Sequence, residues 1–423
     1  MNLPHLVRLL RIPQLSLGSA LGVTGAAFFM SRLIQLGSAV FLSRLLTPSD
    51  FGLLAIVTAI QTFSTQLTAV NLGSELVRCA KLESHDVDVA WTYEFLRNLI
   101  LFVVIFVLAD FLASLLKQPD AALALRVSSL SFIIASLRNP YLVQIRRDKL
   151  FVLLGVMDII PAFILAITSV FLVVFLDSYM GVIYAMLAST LSLTCLSYFA
   201  FPAHPRFRFS LRRLRPMLQF GGKLFIATVI AGLESNFPVF LVSALSQPEE
   251  VGLLNRSYAF SLAIALSFSA MIWRVCYPHY AQLAISGPPP LAHALRGSFI
   301  IIGAGLIGVV PALVFASDII VAVLGPQWSA MSDLWSLLLL ASLCSIAASP
   351  LTSVLHATKN ENAQIAVFCS GAALAIALTW LLYLALGLIG IGVAVLTSNA
   401  LVLFGYHWII IALLRRKCYR WRP

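Results

Sequence analysis

Long runs of apolar residues, each ended by a short polar break, recur from one end of the chain to the other. The runs are about 20 residues long, the length a helix needs to cross roughly 30 Å of hydrocarbon. Their Leu, Ala, Ile and Phe content, without the short alternating strands of an outer-membrane barrel, predicts helices. Twelve spans are predicted, at 17–43, 51–73, 91–116, 122–144, 151–176, 179–201, 217–245, 252–275, 292–316, 330–355, 362–385 and 388–413. The longest polar breaks are 74–90 and 202–216. Prolines inside the predicted spans, Pro140, Pro161, Pro238, Pro278, Pro311 and Pro350, each remove a helix hydrogen bond and are expected to kink their helix.

The pattern repeats. Pro48–Leu54 (Pro-Ser-Asp-Phe-Gly-Leu-Leu) returns 200 residues later as Pro248–Leu254 (Pro-Glu-Glu-Val-Gly-Leu-Leu), again between two apolar runs. A second echo pairs Asn139-Pro140 through Lys149 with Ser349-Pro350 through Lys359. A third pairs Gly181–Ser189 with Gly390–Ser398. The echoes keep their order, as in transporters built from one membrane unit used twice. Six spans per half is an even number, so both halves enter from the same side. The expected fold is therefore an all-α membrane protein of twelve transmembrane helices in two pseudo-symmetric six-helix bundles. The first lobe is 1–216 with a basic linker, and the second is 217–423 with a basic tail.

Composition agrees: the 423 residues are 60% hydrophobic and 11% charged, with mean hydropathy +0.96. The net charge of +11 raises nucleic-acid binding, and its placement argues against it. With the N-terminus inside, nineteen cations fall in inner segments and only Arg44 and Lys117 in outer loops. That is a positive-inside topology signal rather than a fold presenting basic side chains to nucleic acid. Residues 202–216, with five arginines and three prolines, read chiefly as a cytoplasmic spacer. They are also basic enough to meet anionic lipid. The six cysteines are scattered without metal or redox spacing and read as bilayer packing, and no cofactor is expected. The segment before Leu17 lacks a clear cleavage site, so the first span is read as retained.

With the cations of the inner segments and outer loops set aside, Arg296 at the inner end of its span counted among them, seven remain within the spans: Arg32, Arg97, Arg126, Arg138, Lys223, Arg256 and Arg274. A cation at a helix centre costs about 3 kcal/mol on insertion scales, so each needs a partner, a watery cavity or a function. Arg32 is the deepest, about 22 Å along its helix from the inner end. Arg126 and Arg256 lie nearer outer ends, and Arg97, Arg138, Lys223 and Arg274 nearer inner ends. Snorkelling to the interface is the plain explanation for the shallow ones. Cationic stations at several depths suit an anionic cargo, because arginine binds phosphate bidentately and stays charged when desolvated. The candidate substrate-binding residues are Arg32, Arg126, Arg256, Arg97, Arg274 and Lys223. Glu234 and Asp158 are candidates for proton or ion coupling, or for structural pairing with those arginines.

Residues Phe41–Val57 (Phe-Leu-Ser-Arg-Leu-Leu-Thr-Pro-Ser-Asp-Phe-Gly-Leu-Leu-Ala-Ile-Val) resemble the first hairpin of the polysaccharide-synthesis family. This is the Wzx-like branch of the multidrug/oligosaccharidyl-lipid/polysaccharide exporter superfamily. Arg138–Phe151 is similar to the family after its fourth span, and the closest look is to exporters of colanic-acid type. The resemblance implies a V-shaped pair of bundles around a cavity that often carries basic residues. It also implies flipping of undecaprenyl-pyrophosphate-linked oligosaccharides from the inner to the outer leaflet of the bacterial inner membrane, while the charge placement puts both termini in the cytoplasm. Proton or sodium coupling and polysaccharide-assembly proteins as partners follow from the same resemblance.

Two rivals stand beside that reading. A cation-coupled drug antiporter of the same superfamily needs several cavity acids, for which Asp158 and Glu234 are thin support. A polymerase or membrane glycosyltransferase needs a sizeable external loop or an acidic metal site, and the sequence offers neither.

Overall fold

A computed structural model of the chain describes residues 17–68, 72, 76, 83–148, 150–201, 203–286 and 290–415. Every regular element among them is helical. In chain order they are α1 (Leu17–Leu45), α2 (Pro48–Thr68), α3 (Ser84–Leu115), α4 (Ala121–Ser136), α5 (Val143–Arg147), α6 (Phe151–Leu176) and α7 (Met180–Ala200). There follow α8 (Leu211–Leu245), α9 (Pro248–Ser286), α10 (Leu291–Val314), α11 (Ala316–Leu324), α12 (Ser332–Ala357), α13 (Glu361–Leu386) and α14 (Leu388–Arg415). Short 3₁₀ turns at Pro140–Leu142 and Pro326–Met331 precede α5 and α12.

Eleven of the described helices are long and apolar enough to cross a membrane, and α4 is apolar but shorter. Large apolar side chains point outward along them. Ile307 and Val314 on α10 are 78% and 72% exposed, and Phe175 on α6 is 75% exposed. In water such a surface would aggregate, whereas in a bilayer it is the lipid face.

The chain divides into two compact units. The first comprises Met1–Gly232 with Ser243–Pro248, and the second Leu233–Val242 with Glu249–Pro423. In the first, α6 packs against α1 and α7, and α4 packs against α3 and α7. In the second, α14 packs against α12 and α13, and α12 against α10. A buried cluster at one end of the first unit joins Val87, Tyr141, Ile145, Leu153, Met157 and Phe201. Its counterpart in the second unit joins Tyr280, Leu291, Ala348, Leu351, Val354, Tyr406 and Ile410.

The repeated motifs have local physical roles. Thr47 and Asp50 close the start of α2 reciprocally. The Thr47 backbone N–H donates to the Asp50 carboxylate at 2.9 Å, and the Asp50 N–H donates to the Thr47 hydroxyl at 3.3 Å. This is a capping box with proline at the first helical position. Gly52 then lets α2 approach Pro248, since a Cβ there would fall 1.8 Å from the Pro248 carbonyl oxygen. The third echo marks two tight hairpins. A Cβ on Gly181 would lie 2.5 Å from the Val173 nitrogen of α6, and one on Gly390 would lie 2.0 Å from the Leu382 oxygen of α13. Each hairpin turns on a residue of positive φ, 48° at Asp177 and 62° at Gly387.

The second echo diverges. The predicted span 122–144 ends at Ser136, because Asn139 breaks the helix. Its side-chain oxygen accepts from the Tyr141 N–H at 3.0 Å, and its amide donates to the carbonyls of Phe201 and Ala203 at 2.6 and 2.9 Å. Pro140 therefore opens a 3₁₀ turn instead of kinking a helix. Pro350 does lie inside a helix, α12, which runs on to Ala357. The Ser349 hydroxyl that replaces the Asn139 amide bonds back to the Ser345 carbonyl of its own helix, at 3.4 Å.

The segment between α7 and α8 is more than a spacer. Asp88, which is buried, accepts the Arg206 backbone N–H at 3.2 Å and pairs with the Arg208 guanidinium at 3.7 Å. The Thr92 hydroxyl accepts the Arg208 N–H at 2.9 Å. Arg213 reaches Asp86 at 2.7 Å and Glu83 at 2.8 Å. Those two hydrogen bonds push the pKa of its guanidinium further up. Phe207 packs on Trp91 and Phe95, with ring centroids 4.7 and 5.1 Å apart.

Candidate functional site

The second unit contains a partly open cavity of about 290 Å³, walled by α8, α9, α12, α13 and α14. Its apolar lining is interrupted by one carboxylate, Glu234, one phenol, Tyr258, and one amide, Asn399. Hydroxyls of Ser235, Ser261, Ser342, Ser345, Thr379 and Ser398 complete the polar set. Every lining residue lies on one of these five helices, so the polar atoms converge without a loop.

Several of these hydroxyl protons are committed to backbone carbonyls. Ser342 donates to the Ser261 carbonyl at 3.1 Å, Ser345 to Ala341 at 3.2 Å and Ser398 to Ala394 at 2.7 Å. A hydroxyl that has donated its proton offers lone pairs. The Ser261 hydroxyl is buried and has no hydrogen-bond partner among the described residues. One carboxylate among acceptor oxygens suits a proton or a monovalent cation. A tight divalent site would call for more carboxylates. No cluster of three or more His, Cys, Asp or Glu that could hold a metal ion occurs among the described residues.

The expected coupling acids part company here. Glu234 lines the cavity, while Asp158 is exposed on α6 of the first unit. Within each unit the expected cations are spread along the helices. Arg256 is buried on α9 at 6% exposure and is not among the cavity-lining residues. Arg274 is exposed on the same helix, 18 residues further on, which is about 27 Å along the axis. In the first unit, Arg126 of α4 is ion-paired with Asp110 of α3. Arg97 donates to the Asn98 side chain at 3.1 Å, and Glu94 lies within the electrostatic reach of Arg97 and Arg138. Arg97 and Asp110 are 13 residues apart on α3, or about 20 Å, so these are two stations. Arg32 donates to Gln35 at 3.1 Å, one turn along α1. The Lys223 side chain lies outside the described residues.

The serine, threonine and asparagine members of the cavity escaped the sequence reading. Isolated hydroxyls in apolar helices usually satisfy themselves on the preceding turn, so their pattern carries no signal. The spacing Ser342, Ser345 on α12 and the adjacent Ser398-Asn399 on α14 are the only traces they leave.

Residues 41–333 match the family described as "Polysaccharide biosynthesis protein". Among curated relatives, "Lipopolysaccharide biosynthesis protein WzxC" of Escherichia coli (strain K12) is 21% identical over 327 residues, covering 75% of this chain and 65% of that protein. "Teichuronic acid biosynthesis protein TuaB" of Bacillus subtilis (strain 168) is 21% identical over 333 residues, 77% of this chain and 68% of that one. The chain thus matches about two thirds of the length of these relatives. Among solved structures, "Lipid II flippase MurJ, inward closed conformation" superposes with a TM-score of 0.78 at 13% identity, over 92% of this chain and 87% of that one. An inward-facing multidrug resistance MATE family transporter of the MOP superfamily gives 0.63 at 15% identity, over 98% and 100%. At these identities the superpositions speak for the fold.

Proposed function

The chain belongs to the polysaccharide biosynthesis protein family, and from that membership we propose that it flips a lipid-linked oligosaccharide across a bacterial inner membrane. The cargo in this proposal is an undecaprenyl-pyrophosphate-linked repeat unit of exopolysaccharide, O-antigen or capsule. It moves from the inner to the outer leaflet by alternating access. Both termini lie in the cytoplasm, and polysaccharide-assembly proteins act beside it. The family match carries this reading. The relatives named for lipopolysaccharide and teichuronic acid biosynthesis and the flippase-like fold support it.

The physical task is to take a pyrophosphate and a polar sugar through hydrocarbon. Cations at several depths divide that task into shorter steps, each offsetting part of the desolvation of the phosphates. In this proposal Arg97, Arg274 and Lys223 receive the head group, and Arg32, Arg126 and Arg256 contact it further along. Arg126 would exchange the Asp110 carboxylate for a phosphate, a swap of one anion for another that needs no new buried charge. Arg256 is the strongest candidate, because its side chain is buried and a charge-assisted hydrogen bond to phosphate is strongest where water is excluded. Glu234, with Asp158 as the lesser candidate, would take up the coupling proton or sodium. Neutralising a carboxylate in the cavity would then shift the balance between the two open forms.

The test is to replace Arg32 and Arg256, each by Ala and by Lys, and to measure surface polysaccharide at matched protein levels. Loss with Ala and partial retention with Lys are expected, since Lys keeps the charge and loses the fork. Full transport by all four variants would remove both residues from the substrate path.

A second reading, a cation-coupled antiporter for small molecules, draws on the Glu234 carboxylate in the cavity, one acid where that reading calls for several. Under it, loss of the protein would sensitise cells to cationic drugs and leave surface polysaccharide intact.

A further inference from the structure

Away from the cavity and the intramembrane cations, one surface combines charge, aromatic rings and rigidity. It is the extended segment 203–210 with the first turn of α8. We propose that this segment is a binding site for anionic phospholipid headgroups, in the leaflet at whose surface α7 ends. The inference stands whether or not the chain moves a lipid-linked sugar.

Position comes first. α7 is a candidate membrane span ending at Ala200, and Phe201 is buried in the cluster with Tyr141 and Ile145. The segment therefore starts at the edge of the bilayer. It is then pinned to the beginning of α3, another candidate span, by the Asp88 and Thr92 bonds to Arg206 and Arg208. It stays at the membrane surface along its length.

The side chains it presents come next. Phe207, Phe209 and Leu211 are 63%, 65% and 67% exposed. Rings and branched chains held in this way at a bilayer edge bury themselves at the boundary of headgroups and acyl chains. Arg206 and Arg212 are exposed among them, and neither makes an ion pair among the described residues. The nearby acids are already engaged, Asp88 by Arg208 and both Asp86 and Glu83 by Arg213. The anchoring thus consumes two arginines and leaves two directed outward, preorganised beside apolar anchors. Lipid phosphates are the anions found at that depth, and guanidinium binds them with two parallel hydrogen bonds.

The experiment uses the intact protein in mild detergent, offered equal amounts of phosphatidylglycerol and phosphatidylcholine. Bound lipids are counted by native mass spectrometry. Wild type is expected to retain phosphatidylglycerol preferentially. Each surface cation is worth about fivefold, so R206Q/R212Q should lose the preference by about 25-fold, while R206K/R212K keeps most of it. R296Q, which removes an exposed arginine of the second unit, should bind as wild type does. An unchanged preference in R206Q/R212Q, or an equal loss in R296Q, would overturn the proposal. Displacement of the lipid by inorganic pyrophosphate at comparable concentration would also overturn it, in favour of a soluble-anion site. Thermal unfolding in the same detergent checks that each variant is folded. If the double variant is not, R212Q alone carries the test with an expected loss of about fivefold.

Discussion

The ionisable residues in the helices differ in how their charge is compensated. Arg126 has its acid beside it, Arg97 has an amide and the field of Glu94, and Arg32 has a glutamine one turn away. Glu234 faces a cavity whose other polar groups are neutral. A carboxylate so placed changes charge by taking up a proton or binding a cation, and an amide does neither. Glu234→Gln is therefore expected to unfold at the same temperature as wild type in detergent. Its transport in proteoliposomes should no longer respond to an imposed proton or sodium gradient. A retained gradient response would assign coupling elsewhere. Sequence alone identified Glu234 and Asp158 together, because both are acids in apolar runs. What separates them is which way each helix face turns, and one sequence leaves that open.

At the scale of elements, the hairpin motif was legible because its chemistry is local. Thr47, Pro48 and Asp50 form a cap within one turn, and caps of this kind are worth about 1 kcal/mol. Asp50→Ala is expected to lower stability by about that amount in a detergent unfolding titration. Gly52→Ala should do more harm, since its methyl would meet the backbone of Pro248, which cannot rotate away. If Gly52→Ala matches wild type in both melting and expression, that close approach is not maintained in the membrane. The span predicted at 122–144 failed for the opposite reason. Asn139 ends that helix by donating to carbonyls more than 60 residues away, and local periodicity carries no record of such partners. Asn139-Pro140 and Ser349-Pro350 look alike in sequence and differ in what the first side chain can reach.

At the scale of the whole molecule, the membrane class, the repeated hairpins and most of the spans were legible, because each rests on length and hydropathy. The cavity was not, being assembled from five helices whose polar members are single small side chains. Function is tested at this scale by deleting the gene and restoring it. The flippase proposal expects loss of one surface polysaccharide with no change in drug tolerance, recovered by wild type. The antiporter reading expects the reverse pair of outcomes.

The glycine-tightened turns bear on biogenesis. Where α6 meets α7, and again where α13 meets α14, the second helix has no room to dock later by sliding in from the side, because its first turn already rests on its predecessor's backbone. Such a couple leaves the insertion machinery together or waits there. A ribosome pausing just after Leu176 or Leu386 would leave a single greasy segment without its companion, and quality-control proteases would meet it first.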